Sequence, residues 1–128
     1  HGFAARIDHA VAMADHARSI IKESQGALAA AADTGFTNVV FVWVPPELRP
    51  FNLGSLKPEN QKQLHQLAPA IKARMQQAGD ALLGYQPVNG LNTFRLLIMN
   101  PAVTPTDVEA TLGRLAYHAQ QAWEQAKA

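Results

Sequence analysis

The sequence contains no cysteine, which excludes disulfide bonds, a thiolate nucleophile and cysteine-ligated metal sites. It also lacks an excess of charge: the formal net charge is +1 over 128 residues, with both signs interspersed. Nothing in this charge pattern predicts binding to nucleic acid or to an anionic membrane surface. No apolar run approaches the roughly 20 residues that cross a bilayer, and no signal peptide is recognisable. These absences favour a cytoplasmic protein that forms one domain.

Motifs that would carry catalysis are absent as well. Ser19, Ser24 and Ser55 lie in no nucleophile elbow, and the sequence has no glycine-rich phosphate loop. Each of the five lysines lies on a polar helix face, in a loop or at the C-terminus, not in the desolvated setting of a Schiff-base nucleophile. His9 and His16 are about 10 Å apart along one predicted helix, too far to share a metal ion. The residues alone predict no catalytic group, no cofactor-binding residue and no metal ligand in this chain.

Apolar periodicity predicts the order helix, strand, helix, strand, strand, helix. A first amphipathic helix covers about residues 2–24, and Gly26 marks its end. The alanine-rich run at 27–32 suits either a tail of this helix or a short buried strand. The unbroken apolar run from Val39 to Val44 predicts a strand buried in the sheet.

The second half of the chain begins with an apolar stripe over residues 58–78 that Pro69 interrupts. We therefore expect a kink or two consecutive helices, the second with Pro69 in its first turn. Gly79 is predicted to cap the end of this helical segment. Two strands then follow, joined by a turn that contains Asn89 and Gly90.

The last helix is predicted to start with Thr104 as its N-cap and Pro105 in its first position. The whole pattern is typical of an α+β fold, a small, mostly antiparallel sheet with helices packed on one face. We expect the other face of the sheet to be uncovered, with Val40, Val42 and Val44, or their alternates, lying on it. An exposed apolar face of this kind would indicate a missing partner surface.

Arg95 lies inside a predicted strand in the segment LNTFRLLIMNPA, residues 91–102. Strict alternation places its side chain on the face opposite to Phe94. Arginine is rarely buried unless an anionic group meets it. The residues alone favour an arginine on a solvated face over a guanidinium that binds a carboxylate through two parallel hydrogen bonds. In the second case, Tyr85 and Gln86 on the neighbouring strand would orient Arg95 or line the same opening.

Three stretches of the sequence carry a resemblance to a known family. They are FVWVPPELR (41–49), LAPAIKARMQQAGDALLGYQP (67–87) and NTFRLLIMNPAVTPTDVEATLGRL (92–115). Together they resemble the C-terminal part of the pyridoxal-phosphate-dependent group II amino-acid decarboxylases, which act on glutamate, cysteine sulfinate and aromatic amino acids. The opening GFAARIDHAVAMADH looks like the long helix by which that family's chain leaves its large domain.

The resemblance implies that residues 1–128 are the small C-terminal domain of a fold-type-I enzyme, which the first helix connects to an absent large domain. It implies that a lysine of that large domain holds pyridoxal phosphate, and that the parent enzyme is a homodimer. It also implies that Arg95 binds the α-carboxylate of the substrate, which we expect to be an acidic amino acid such as glutamate, aspartate or cysteine sulfinate. The first residue, His1, fits an excised piece, and we expect the piece alone to be inactive.

The sequence departs from the family at one position beside Arg95. The nearest members carry two aromatic residues before the arginine, whereas Thr93 stands in place of the first. Two other functions stay open. One is a free-standing ligand-binding or regulatory α+β module, in which Arg95 binds an anionic effector. The other is the small domain of a pyridoxal-phosphate-dependent aminotransferase.

Overall fold

The computed structural model describes residues 2–33, 37–49, 56–80, 82–88 and 90–127. These residues form three α-helices and four strands: α1 (Gly2–Glu23), β1 (Leu28–Asp33), β2 (Val39–Trp43), α2 (Pro58–Gln77), β3 (Leu83–Val88), β4 (Leu91–Leu96) and α3 (Pro105–Lys127). The sheet has the order β1-β2-β4-β3, and each neighbouring pair is antiparallel. The predicted α+β fold with an antiparallel sheet is confirmed. None of the described helices is long and apolar enough to cross a bilayer.

The alanine-rich run is an edge strand, not a tail of the first helix. α1 ends at Glu23, and the positive φ angles of Gln25 and Gly26, 58° and 88°, turn the chain back. β1 then pairs with β2, with a register shift between Ala30 and Ala32. Alanine has little intrinsic preference for strands, so the pairing with the apolar strand β2 decides its conformation.

The main core lies between one face of the sheet and the three helices. The sheet contributes Val39, Phe41, Trp43, Phe94 and Leu96, and Ile98 joins them just beyond β4. The helices contribute Met13, Ala14, Ala17 and Ile21 from α1, Leu67, Ala68, Ile71 and Met75 from α2, and Val108, Leu112, Leu115, Ala119, Ala122 and Trp123 from α3. The helices therefore pack on one face, as the sequence predicts.

The prediction that Val40, Val42 and Val44 form an exposed face is wrong. Their exposed fractions are 2%, 3% and 0%. Val42 and Val44 belong to a second, smaller core with Leu64 and Leu91, and Leu48 and Leu56 pack against it. Leu48 and Leu56 lie near the two ends of the connection between β2 and α2, so this connection brings apolar side chains onto the second face of the sheet.

The helix α2 runs unbroken through Pro69, so the expectation of two consecutive helices is wrong. Proline has no N–H, and therefore Pro69 cannot donate to the carbonyl of His65 four residues earlier. Instead, the Asn92 side chain on β4 donates from Nδ2 to this carbonyl at 3.1 Å. The backbone N–H of Asn92 also donates to Nδ1 of His65 at 3.0 Å. A strand residue thus supplies the hydrogen bond that the proline removes from the helix.

The predicted ends of the helices agree with the structure. At the end of α2, Gly79 has a φ of 80° and its N–H donates to Gln76 O, while Asp80 N–H donates to Met75 O at 3.1 Å. This is the Schellman arrangement, which needs a left-handed residue at the glycine position.

At the start of α3, Thr104 and Asp107 form a reciprocal cap. Thr104 N–H donates to the Asp107 carboxylate at 2.9 Å, and Asp107 N–H donates to Thr104 Oγ1 at 3.1 Å. The Thr104 hydrogen bonds lower the pKa of Asp107 from its usual value. The predicted hairpin turn is present between β3 and β4, with a φ of 78° at Gly90, whereas Asn89 lies outside the described residues.

Replacing Asn92 with alanine is expected to lower the free energy of unfolding by about 1–3 kcal/mol, because it leaves the part-buried His65 carbonyl without its donor. The loss should be smaller when Pro69 is also alanine, since the restored N–H of residue 69 can then donate to the same carbonyl. Chemical denaturation of Asn92→Ala, Pro69→Ala and the double variant measures this coupling. An equal loss with and without Pro69 would contradict the proposed exchange of donors.

Candidate functional site

Arg95 lies on the face of the sheet opposite to the helices, as the alternation predicts. Its neighbours across the sheet are Val40 on β2 and Gly84 on β3. Phe94 points into the main core with 2% of its surface exposed. Beyond β4, Leu97 and Met99 are 40% and 48% exposed. The part of this face that starts at Arg95 therefore stays open, while the part around Val42 and Val44 is covered.

A cleft of about 580 Å³ opens beside Arg95. The residues that line it with Arg95 are Thr37, Asn38, Leu82, Leu96, Leu97, Ile98, Met99 and Asn100. Arg95 is the single charged residue among these described lining residues. The cleft thus combines apolar walls, a few amide and hydroxyl groups and one cation. This composition is suited to a small ligand that carries a carboxylate.

The guanidinium of Arg95 lacks an anionic partner within the described part of the chain. Its Nε is buried and makes no hydrogen bond there, and no described carboxylate lies within ion-pair distance. A buried donor without an acceptor costs about 1–3 kcal/mol. Arg49 shows the usual alternative, because its Nε donates to Val44 O at 2.8 Å. Arg74 Nε on α2 is also unpaired within the described residues, but Arg74 does not line the Arg95 cleft.

A buried carboxylate fixes one wall of this cleft. The side chain of Asp80 has no exposed surface, and it accepts hydrogen bonds from Leu82 N at 2.9 Å, from the Thr111 hydroxyl at 2.9 Å and from the Arg114 guanidinium. Leu82 O in turn accepts a hydrogen bond from Leu97 N at 2.7 Å. Leu82 and Leu97, both in the wall of the cleft, are therefore tied through Asp80 to α3.

The sequence did not identify Asp80 or Leu82 as parts of the site. An aspartate directly after a helix-capping glycine can accept a hydrogen bond from the backbone two residues later, and this local pattern was the available signal. The contacts of Asp80 with Thr111 and Arg114 join residues more than 30 positions apart, and no periodicity predicts them.

The expectation that Tyr85 orients Arg95 or lines its opening is wrong. Tyr85 pairs with Phe94 across the strands, so it points to the helices, where the two rings meet edge to face at 5.4 Å. Lys72 Nζ lies 4.8 Å from the centre of the Tyr85 ring. Gln86 pairs with Thr93 and shares the face of Arg95, but it does not line the cleft. Burial, together with the Asp80 carboxylate, raises the pKa of Tyr85 to about 12.

Thr93, the position that departs from the family pattern, is fully buried. It lies two residues before Arg95 on the same face, and its hydroxyl donates to the backbone carbonyl of Gln86. The polar atom is thus satisfied within the sheet. The smaller side chain is accommodated without an unpaired buried hydroxyl.

The histidines make separate contacts. His9 Nε2 lies 2.6 Å from Val103 O, and His16 Nε2 lies 3.3 Å from a Glu109 carboxylate oxygen. Within the described ranges there is no group of three or more histidine, aspartate, glutamate or cysteine side chains that could hold a metal ion.

No protein-family model matches the chain. The acidic amino acid decarboxylase GADL1 of Bos taurus is 34% identical over 115 residues, which cover 89% of this chain and 21% of that protein. The cysteine sulfinic acid decarboxylase of Mus musculus is 35% identical over 116 residues, which cover 89% of this chain and 22% of that protein.

The solved structure of mouse CSAD in apo form is 34% identical, with a TM-score of 0.77 over 91% of this chain and 24% of that one. The resemblance to the group II pyridoxal-phosphate-dependent decarboxylases is therefore confirmed in sequence and in fold. The chain spans about a fifth of the length of the curated relatives that it matches.

The pKa of Tyr85 tests its position between the sheet and the helices. In a Tyr117→Phe protein, Tyr85 is the remaining tyrosine, and we expect half of it to ionise near pH 12 instead of the ordinary value of 10.0. Because the raised pKa favours the neutral ring in the folded state, its contribution to stability is complete below pH 10 and is lost as the pH rises toward 12. An ultraviolet pH titration gives the midpoint. A midpoint near 10 in the folded protein would contradict the burial of this ring.

Proposed function

We propose that this chain is the C-terminal domain of a pyridoxal-phosphate-dependent decarboxylase that acts on an acidic amino acid, and that Arg95 binds the α-carboxylate of the substrate. The observation that carries the proposal is the unpaired, buried Nε of Arg95 at a cleft whose other described lining residues are uncharged. The similarity to an acidic amino acid decarboxylase and to a cysteine sulfinic acid decarboxylase supports the reaction and the class of substrate.

The chemistry of arginine suits this role. Its planar guanidinium can donate two parallel hydrogen bonds to one carboxylate, which fixes the orientation of that group as well as its position. β4 holds the backbone of Arg95 between two other strands, so the guanidinium extends from a rigid support. Decarboxylation requires the breaking bond to be held in a defined orientation, and binding energy spent on such positioning lowers the barrier.

The described residues do not fit a covalent site for pyridoxal phosphate. All five lysines, Lys22, Lys57, Lys62, Lys72 and Lys127, are exposed, and the described lining of the Arg95 cleft includes no lysine. We therefore assign the binding of the cofactor to the part of the protein outside this chain. The residues of this chain bind and orient the carboxylate.

The apolar rim of the cleft supports a partner on this side. Leu97 and Met99 are large apolar side chains with 40% and 48% of their surfaces exposed, and both lie next to Arg95. Covering them would exclude water from the guanidinium and strengthen its interaction with an anion. We propose that the large domain of the parent enzyme covers this rim, which places the Arg95 cleft at the boundary between the two domains.

Exchanging Arg95 for lysine in the full-length protein is expected to lower kcat/KM roughly tenfold to a hundredfold. Lysine keeps the charge but loses the planar fork, and one charge-assisted hydrogen bond contributes about 1.5–3 kcal/mol. Steady-state decarboxylation kinetics measure the effect. Arg18→Lys is the matched control, since Arg18 pairs with Asp15 on the exposed side of α1. Unchanged kinetics in Arg95→Lys would remove Arg95 from carboxylate binding.

The 128-residue chain alone is expected to form no stoichiometric Schiff base with added pyridoxal phosphate and to release no carbon dioxide from glutamate, aspartate or cysteine sulfinate. The reason is that its lysines are exposed and lie away from Arg95. Absorbance titration and a carbon dioxide assay test this. A stoichiometric adduct at one lysine would show that the chain itself contains the cofactor site.

A further inference from the structure

The strand β3 carries a glycine directly opposite Arg95. The register pairs Gly84 with Arg95, so both residues face the open side of the sheet. Glycine in the interior of a strand is unfavourable by about 0.5–1 kcal/mol relative to alanine. Among the described glycines, Gly26, Gly79 and Gly90 have positive φ angles, and Gly84 does not. The φ angle at residue 84 is therefore one that L-amino acids ordinarily adopt. The small size of glycine, and not its backbone freedom, explains its presence there.

The side chain that uses this space is Leu97. A Cβ atom added to Gly84 would lie 3.2 Å from Leu97 Cδ2 and 3.6 Å from Leu97 Cγ. The shorter distance is closer than ordinary carbon–carbon contact, so a side chain at residue 84 would displace Leu97. Leu97 is held at its backbone by Leu82 O, while 40% of its surface is exposed, so its side chain is less confined than its backbone. Because Leu97 lines the Arg95 cleft, a displacement away from β3 narrows that cleft.

We propose that Gly84 and Leu97 form a pair that sets the width of the cleft beside Arg95, and thereby the bulk that a ligand can carry next to its bound carboxylate. This inference rests on the proposed function of Arg95. The hydrogen at Gly84 lets Leu97 lie against β3 and leaves the guanidinium accessible. Acids that keep a hydrogen on the carbon next to the carboxylate, as α-amino acids do, fit this opening, whereas acids that are fully substituted at that carbon meet Leu97.

Two simple acids distinguish an effect of the cleft width from an effect of charge. Propionate and pivalate carry the same single carboxylate, but pivalate has three methyl groups on the neighbouring carbon. Neither has an amino group, so neither can be decarboxylated by amino-acid chemistry. Titrations of the full-length protein, followed by ligand-observed NMR, give the dissociation constant of each acid. The quantity of interest is the ratio of the pivalate constant to the propionate constant.

We expect Gly84→Ala to raise this ratio about tenfold, which is the discrimination that one misplaced methyl group typically produces. Leu97→Ala should lower the ratio by a similar factor, and the double variant should keep the low ratio of Leu97→Ala, because alanine at residue 84 then has no leucine side chain to displace. A purely structural effect of alanine in the strand would not be reversed by trimming Leu97. Gly113→Ala is the matched control, since a Cβ added at that residue would meet nothing within 4 Å apart from its chain neighbours and the backbone of its own helix.

An unchanged ratio in both Gly84→Ala and Leu97→Ala would overturn this inference. If Arg95→Gln abolishes the binding of both acids in the same experiment, the proposed carboxylate-binding role of Arg95 stands. Only the effect of Gly84 and Leu97 on the width of the cleft is then wrong. If Arg95→Gln binds both acids as the parent protein does, the proposed function and this inference fail together. Should Gly84→Ala fail to fold, the ratio measured for Leu97→Ala decides, because Leu97 is 40% exposed and its truncation leaves β3 unchanged.

Discussion

The register of the hairpin formed by β3 and β4 determines the chemistry of the whole open face. Because side chains alternate along a strand, a slip of one residue would turn Arg95 toward the helices and bring Phe94 to the open side. The two-residue turn with its left-handed Gly90 fixes one end of the pairing. Asn92 fixes it again, because its backbone and its side chain both bind His65 on α2.

The same contact joins the register to the proline in α2. Without Pro69, the His65 carbonyl would already accept a hydrogen bond inside the helix and would gain less from Asn92. With Pro69, this carbonyl becomes an acceptor at a defined point on the helix surface. The helix α2 therefore binds Asn92 of β4 and no other position of that strand through this carbonyl. Because side chains alternate along β4, Thr93 and Arg95 must then point away from α2. Pro69, which weakens α2 locally, thus helps to fix the register of β4 in the sheet.

The features that the sequence predicted correctly depend on neighbours along the chain. The alternation in β4, the glycine cap of α2 and the Thr104 cap of α3 are each settled within a few residues. The wrong predictions concern contacts between distant segments. Val42 and Val44 are covered by Leu48, Leu56 and Leu64, and nothing in the valines themselves indicates which segment returns over them.

The position of Tyr85 shows that the same kind of contact between distant segments also limits prediction of the site. The proximity of Tyr85 to Arg95 on a neighbouring strand was predictable. However, a shift of one residue in the register would change the face of the sheet on which Tyr85 lies. Gly84, and not Tyr85, is opposite Arg95. The sequence left one kinked helix and two consecutive helices open at Pro69, because the compensating donor comes from a residue 27 positions away from His65.

Two of the local costs in this fold lie at the Arg95 cleft. An unpaired buried donor at Arg95 costs about 1–3 kcal/mol, and a glycine inside β3 costs about 0.5–1 kcal/mol more. These amounts are large against the 5–15 kcal/mol that typically separates folded from unfolded domains. Sites where local rules are broken while the surrounding structure obeys them are typical of function. A carboxylate at Arg95 would accept a hydrogen bond from this donor, so part of its binding free energy would come from satisfying the buried Nε.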